Sequence, residues 1–156
     1  MELKTAGAIL RNGGWDYFST TMASVNRIEY MDITTPPTIF IVDDDEAVRS
    51  ALRMLVMSFG WHVKAYPSGQ SFLQALPLAA PDCILLDLNM PGMNGAEVQE
   101  SMRAQGIDIP VIIITGQKDQ QLLSRARAAG ACGMLAKPFQ DEELKHVIEQ
   151  ALAGNP

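Results

Sequence analysis

Acidic residues follow two short apolar segments of this sequence. Asp43 and Asp44 come directly after the β-branched segment 38–42, and Asp87 comes directly after the apolar segment 83–86. Neighbouring carboxylates repel one another unless a cation lies between them, and Mg²⁺ prefers such hard oxygen ligands. The acidic residues therefore predict a magnesium site if both segments end at the same edge of the fold. Taken alone, Asp43 and Asp44 fit a helix N-terminus equally well.

Asp87 has the setting of a reactive carboxylate, because it lies between Leu86 and Leu88, where an ionised side chain is costly. A carboxylate can attack phosphorus and form an aspartyl phosphate. Stabilising the phosphoryl oxygens then requires a metal, a second cation and a hydroxyl donor. Lys137 and Thr115, each at the end of an apolar segment, supply the cation and the hydroxyl. Each residue alone fits an ordinary structural position, so the prediction depends on the combination.

The elements that must position these residues alternate regularly from Thr38 onward. Apolar, β-branched segments predict strands, and helical spacing of apolar residues predicts helices. The predicted strands are Thr38–Val42, His62–Tyr66, 83–86, 111–114 and Gly133–Ala136. The predicted helices are Glu46–Ser58, a short segment capped by Ser68, a segment after Gly95, 120–129 and 141–153. This alternation predicts an α/β fold with a doubly wound, five-stranded parallel sheet, whose strands all end at one edge.

Composition limits the possible classes of protein. The 156 residues, of which 47% are hydrophobic, suit a single globular domain. The formal net charge of −6 disfavours direct binding to DNA or RNA. The sequence shows neither an apolar stretch long enough for membrane insertion nor a secretion signal. Two cysteines, Cys83 and Cys132, predict buried thiols rather than a disulfide framework, and we expect a cytoplasmic protein.

Four ordered motifs resemble the receiver domain of bacterial two-component response regulators. They are Ile41-Val-Asp-Asp-Asp-Glu46, Leu85-Leu-Asp-Leu-Asn-Met-Pro-Gly-Met-Asn-Gly95, Ile114-Thr-Gly116 and Lys137-Pro-Phe139. The resemblance covers about residues 38–152 and is strongest to the receivers of nitrogen-fixation transcriptional regulators. It implies a flavodoxin-like (βα)5 receiver domain over residues 38–153.

The resemblance also implies how Mg²⁺ is held. Asp44 would bind the metal directly, and Asp43 would act nearby, through water. Asn89 would offer its backbone carbonyl oxygen, and Asp87 would complete the site.

The resemblance further implies the reacting residues. Asp87 would accept a phosphoryl group from a sensor histidine kinase or a phosphotransfer protein. Thr115 would hydrogen-bond this group, Lys137 would pair with one of its oxygens, and the peptide bond before Pro138 would be cis. Such a protein accepts and loses phosphate on itself and is not an enzyme with an external substrate.

Position 134 departs from the family pattern. Met134 stands three residues before Lys137, where the family usually has Tyr or Phe as a rotamer switch. Methionine is flexible and apolar, so it can move but lacks the ring. The departure concerns the output signal and leaves the phosphorylation chemistry intact.

Other functions stay open from the sequence alone. A phosphohydrolase of the haloacid dehalogenase type would need a second acid two residues after Asp87, where Asn89 stands. A phosphorylation-independent interaction module, or the receiver fragment of a transcriptional regulator, also fits. No output domain is expected before Pro156, so a stand-alone receiver would signal through a downstream protein or a homodimer that uses the last two helices.

Residues 1–37 contain none of the motifs described above and are expected to form an N-terminal extension. They could be disordered or could be an over-extended start ahead of Met31. Alternatively, Trp15, Tyr17 and Phe18 could anchor a partner or cover the domain's own surface. The apolar spacing across residues 3–10 favours a short helix, although an isolated helix of this length is marginal.

Overall fold

The N-terminal unit contains a pair of strands. The computed structural model describes residues 6–11, 14–19, 35–116 and 120–154, and the chain divides into two compact units after Thr34. Strand β1 (Ala6–Arg11) pairs antiparallel with β2 (Gly14–Ser19), with Arg11 opposite Gly14.

The helix favoured by the apolar spacing of residues 3–10 is therefore wrong over its described part. The sequence between β1 and β2 is Asn-Gly, the dipeptide most typical of a two-residue hairpin connection. The following strand is rich in aromatic residues, which favour β-structure. The side chains of Trp15, Tyr17 and Phe18, and the proposed start at Met31, lie outside what the structure describes. The division at residue 37 stays a prediction.

The second unit contains the expected parallel sheet. Its strands are β3 (Thr38–Val42), β4 (His62–Tyr66), β5 (Cys83–Asp87), β6 (Val111–Thr115) and β7 (Gly133–Ala136). They are ordered β4-β3-β5-β6-β7 and every neighbouring pair is parallel. The parallel, doubly wound sheet is the one predicted from the alternation of strands and helices, and its strand order is the flavodoxin-like order that the resemblance implied.

Five helices connect the strands. They are α1 (Glu46–Ser58), α2 (Gly69–Ala75), α3 (Gly95–Ala104), α4 (Gln120–Ala128) and α5 (Asp141–Leu152), and a 3₁₀ turn, Leu76–Leu78, follows α2. Helix α3 begins at Gly95 rather than after it, because Asn94 and Glu97 form a capping box. None of the helices in the described ranges is long and apolar enough to cross a membrane.

Alternating strand residues build a core on each face of the sheet. Phe40 and Ile113 point toward α2, α3 and α4, whereas Ile39 and Ile112 point toward α1 and α5. All five residues of β5 and of β6 are buried. Because both faces of the central strands are covered, the positions of their carboxyl ends are rigidly determined.

The two cysteines are free thiols, as expected, but only one of them is buried as expected. Cys83 is buried and Cys132 is partly buried. Burial raises the pKa of Cys83 to about 12, so its thiol stays protonated and is a poor nucleophile.

Candidate functional site

Strand pairing brings the two acidic segments together. Asp43 follows the last residue of β3, and Asp87 is the last residue of β5. These strands pair with Val42 opposite Leu86, so the two aspartates lie side by side at the carboxyl edge of the sheet. The prediction that both segments end at one edge is confirmed.

The next two strands add the hydroxyl and the ammonium group. Thr115 is the last residue of β6, lies opposite Ala136 of β7, and is only 5% exposed. The backbone N–H of Lys137 donates to the carbonyl oxygen of Thr115 at 2.8 Å. The loop that carries Lys137 is therefore tied to the end of β6, and the peptide bond between Lys137 and Pro138 is cis, as expected.

Three carboxylates form an acidic cluster, made of Asp43, Asp44 and Asp87. One carboxylate oxygen of each residue lies within 4.8 Å of the others. Asp43 is 2% exposed and Asp87 is 8% exposed, whereas Asp44 is exposed to solvent. A set of closely spaced hard oxygen ligands, partly open to water, fits a hydrated divalent cation such as Mg²⁺.

Lys137 lies between two members of the acidic cluster. Its Nζ donates to Asp43 Oδ2 at 3.1 Å and to Asp87 Oδ1 at 3.2 Å. Burial by itself would lower the pKa of Lys137, but the hydrogen bond to Asp43 and the negative charges of both aspartates outweigh it and raise the pKa. The side chain is therefore a permanent cation at the site.

Asp87 has a raised pKa. Burial is the largest cause; the charge of Lys137 opposes it, and the charge of Asp43 adds to it. A buried carboxylate beside a fixed cation is an arrangement found at reactive sites.

Asp45 is the N-cap of α1 and is not a member of the acidic cluster. Asp45 Oδ1 accepts from the backbone N–H groups of Ala47 and Val48 at 2.9 and 3.2 Å. The backbone N–H of Asp45 donates to Asp43 Oδ1 at 2.9 Å. Asp45 therefore caps the helix, whereas the carboxylates of Asp43 and Asp44 belong to the acidic cluster.

The sequence analysis missed the supporting roles of two residues, Arg49 and Gly95. Arg49 Nη1 donates to the backbone carbonyl oxygens of Asp43 and Asp44 at 2.8 and 3.2 Å. Gly95 approaches β5 so closely that a Cβ there would lie 2.6 Å from the carbonyl oxygen of Asp87. Two sequence signals could have revealed these roles. Arg49 stands four residues after the N-cap Asp45, and Gly95 is a glycine at the first position of a helix.

Two other residues named in the sequence analysis are Asn89 and Met134. Asn89 lies in the loop two residues after Asp87 and is partly buried. Met134 is on β7, where its Sδ lies 3.0 Å from Nε of Arg127 on α4. The thioether therefore contacts a cation from the neighbouring helix at the position where an aromatic ring was expected from the resemblance.

Comparisons with known proteins agree with this geometry. Residues 39–149 match the response regulator receiver domain family. The chain is 39% identical to the transcriptional regulatory protein FixJ of Bradyrhizobium diazoefficiens over 120 residues, which are 77% of this chain and 58% of that protein. It is 42% identical to the response regulator protein TmoT of Ectopseudomonas mendocina over 118 residues, which are 76% of this chain and 54% of that protein.

A solved structure gives the same result. The crystal structure of FixJ-N superposes with a TM-score of 0.71 at 36% identity and covers 75% of this chain and 94% of that one. The matched part of the chain spans little more than half of the length of FixJ and of TmoT, the two curated relatives named above. Because the family match and these identities extend over the unit that carries the acidic cluster, the chain belongs to the response regulator receiver domain family.

Proposed function

We propose that Asp87 accepts a phosphoryl group from a sensor histidine kinase or a phosphotransfer protein. The observation that carries this proposal is the position of the Asp87 carboxylate, which is 8% exposed, 3.2 Å from Lys137 Nζ and within the acidic cluster. Family membership supports the same conclusion.

The transfer exchanges one bond to phosphorus for another. A carboxylate oxygen of Asp87 attacks the phosphorus of a phosphohistidine, and the P–N bond breaks with its electron pair going to the imidazole, which takes up a proton. The product is an acyl phosphate on Asp87. Attack by water on that phosphorus later releases inorganic phosphate and restores the carboxylate, so each cycle consumes one phosphoryl donor and one water and passes through Asp87.

The charges around Asp87 suit this reaction. We propose that Asp43, Asp44 and the backbone carbonyl of Asn89 hold Mg²⁺, which when bound neutralises negative charge on the phosphoryl oxygens. Lys137 would leave the carboxylate of Asp87 and pair with a phosphoryl oxygen. Thr115, at the end of the adjacent strand, would donate its hydroxyl hydrogen to another.

Phosphorylation of the isolated protein tests the proposal. The protein is incubated with acetyl phosphate and Mg²⁺, and the mass of the intact chain is measured together with the base lability of the adduct. The wild type should gain one phosphoryl group, and Asp87→Asn should gain none. Asp108→Asn is the matched control, because Asp108 is exposed and precedes β6, at the opposite end of the sheet.

The same experiment separates the alternatives. A phosphohydrolase that is given a phosphate ester in place of acetyl phosphate would also release phosphate from it, whereas a phosphorylation-independent module would form no adduct with either donor. An adduct of normal yield on Asp87→Asn would show that another residue is the acceptor.

We further propose that the phosphorylated state is read on the face formed by α4, β7 and α5. Thr115 and Lys137 lie at the ends of the strands that lead into α4 and α5, so a phosphoryl group that attracts them changes the loops before these helices. Differential contacts of this kind are what shift an equilibrium. The partner would be a second copy or a downstream protein, and the name of the relative FixJ supports transcription as the regulated process.

A phosphate mimic tests the output. Beryllium fluoride with Mg²⁺ should increase self-association or partner affinity and change the amide resonances of α4 and α5. Changes limited to the acidic cluster would contradict this output face. The cytoplasmic location expected from the sequence stays a prediction.

A further inference from the structure

Arg49 contacts the main chain of two residues of the acidic cluster and not their carboxylates. It lies in the first half of α1, is partly buried, and directs Nη1 back toward the loop that precedes the helix. This one nitrogen donates to the carbonyl oxygens of Asp43 at 2.8 Å and of Asp44 at 3.2 Å. Both of these residues contribute a carboxylate to the acidic cluster, whose third member is Asp87.

The hydrogen bonds of Arg49 differ from an ion pair. Its guanidinium binds peptide carbonyl oxygens, and none of the described carboxylates lies within the 4.0 Å ion-pair distance of it. The carboxylate of Asp43 is held by other groups, the N–H of Asp45 and the ammonium of Lys137. Arg49 therefore restrains the direction of the peptides without occupying any oxygen that a metal would use.

We propose that Arg49 is a positioning residue, which holds the Asp43–Asp44 peptides so that both carboxylates point toward a shared Mg²⁺. This inference rests on the function proposed above. The exposed side chain of Asp44 depends most on it, because within the described residues its carboxylate has no hydrogen bond of its own to fix it. A ligand held in place in advance loses less conformational entropy when the metal binds.

Replacing Arg49 has two opposite expected effects on Mg²⁺ affinity, one from its charge and one from its hydrogen bonds. Removing a positive charge near a divalent cation by itself strengthens metal binding. Removing the hydrogen bonds that position the ligands weakens it. Arg49→Lys keeps the charge and loses the planar guanidinium, so it isolates the geometric contribution.

The test compares Arg49→Lys and Arg49→Met with the wild type in the full chain. The dissociation constant of Mg²⁺ is measured from the rise of the melting temperature with metal concentration. The rate of phosphorylation by acetyl phosphate is then measured as a function of Mg²⁺. Arg53→Lys is the matched control, because Arg53 lies one turn further along α1, is exposed, and makes no side-chain hydrogen bond or ion pair within the described ranges.

We expect Arg49→Lys to raise the Mg²⁺ dissociation constant about tenfold, the range seen when residues that orient metal ligands are replaced. At saturating Mg²⁺ its phosphorylation rate should return to within about twofold of the wild type, since the metal then holds the ligands itself. Arg53→Lys should behave as the wild type. If Arg49→Met does not fold, Arg49→Lys carries the test alone.

Three results would overturn the inference. They are an unchanged Mg²⁺ dissociation constant in Arg49→Lys, tighter binding in Arg49→Met, and a phosphorylation rate that stays low at saturating metal. The first would leave Arg49 a structural residue, the second would make its charge dominant, and the third would place its effect on phosphoryl transfer itself. If the wild type is not stabilised by Mg²⁺ at all, the proposed metal site fails, and that result is distinct from all three.

Discussion

Lys137 Nζ lies 3.2 Å from Asp87 Oδ1, although 50 residues separate them in the chain. Strand β6 lies between the strands that carry them, so Lys137 reaches across the end of β6 to meet Asp87. The loop after β7 is thus in direct contact with the proposed phosphoryl acceptor. A change in the charge of Asp87 must change the position or the partners of Lys137.

Asp87→Asn should stabilise the metal-free fold near neutral pH by on the order of 1 kcal/mol. Burial raises the pKa of Asp87; Lys137 opposes this increase, and Asp43 adds to it. An acid with a raised folded-state pKa destabilises the fold once it ionises, and the amide removes that penalty.

The stability gained by Asp87→Asn should depend on pH. Below the ordinary pKa of 3.8 the carboxyl group is protonated in both states and the penalty is absent, whereas above the raised pKa it is complete. The gain should therefore shrink as the pH falls from about 7 to about 4. Thermal denaturation across this range measures it, and an equal gain at both ends would contradict the explanation.

Asp44→Ala should weaken Mg²⁺ binding about tenfold or more, while the metal-free fold keeps its stability or gains slightly. Asp44 is exposed and its charge repels the other members of the acidic cluster. Asp45→Ala should do the reverse: it costs about 1 kcal/mol by removing the N-cap and leaves Mg²⁺ affinity nearly unchanged. Metal titrations followed by thermal denaturation compare the two variants, and equal metal affinities would show that Asp44 is not a ligand.

Lys137→Ala should destabilise the metal-free protein by about 1–3 kcal/mol, because the buried carboxylates of Asp43 and Asp87 lose their cation. Added Mg²⁺ should restore much of this loss. Phosphorylation should persist, but its effect on partner binding or self-association should disappear.

The control for Lys137→Ala is Lys145→Ala. Lys145 is about half exposed and pairs with Glu149 at 3.8 Å on α5, so its removal should cost less than about 1 kcal/mol. Urea denaturation measures both stabilities. Phosphate-dependent binding of normal strength in Lys137→Ala would refute the coupling role of Lys137.

Gly95→Ala should destabilise the fold by about 1–3 kcal/mol and slow phosphorylation. The new Cβ would lie 2.6 Å from the carbonyl oxygen of Asp87 and 3.0 Å from Cα of Leu88, so β5 or α3 must move. At Gly116 the nearest atom among the described residues is Cδ of Lys137 at 3.9 Å, so Gly116→Ala should be tolerated. Denaturation and phosphorylation rates are measured for both, and equal effects would mean that close packing at position 95 is unimportant.

Met134→Tyr should increase the difference in partner affinity or self-association between the free and the beryllium fluoride-bound protein. Met134 can repack without the shape requirement of a ring, so we expect the wild type to have a smaller conformational gap and a larger active fraction before phosphorylation. Tyrosine would also replace the contact with Arg127. Met54→Tyr, at an exposed position on α1, is the control and should have no effect on this difference.

Much of the site could be predicted because parallel strands end at a common edge. Once the alternation of strands and helices was recognised, Asp43, Asp87, Thr115 and Lys137 had to meet there. Their types and order also identified the family, which residues 39–149 match. The antiparallel strands β1 and β2 were missed, because the apolar spacing of a short segment fits a helix or a strand, and only pairing with a second segment decides between them.

The sequence by itself determined the fold class and the chemical groups at the carboxyl edge, since both follow from local patterns. Only the tertiary structure decided how those groups share the site: Asp43 is buried and Asp44 exposed, and Lys137 bridges Asp43 to Asp87. Burial and hydrogen bonding depend on packing between distant segments, which no local pattern encodes. The same holds for Arg49. Its place in the sequence suits the exposed side of a helix, but its guanidinium donates hydrogen bonds to the carbonyl oxygens of Asp43 and Asp44.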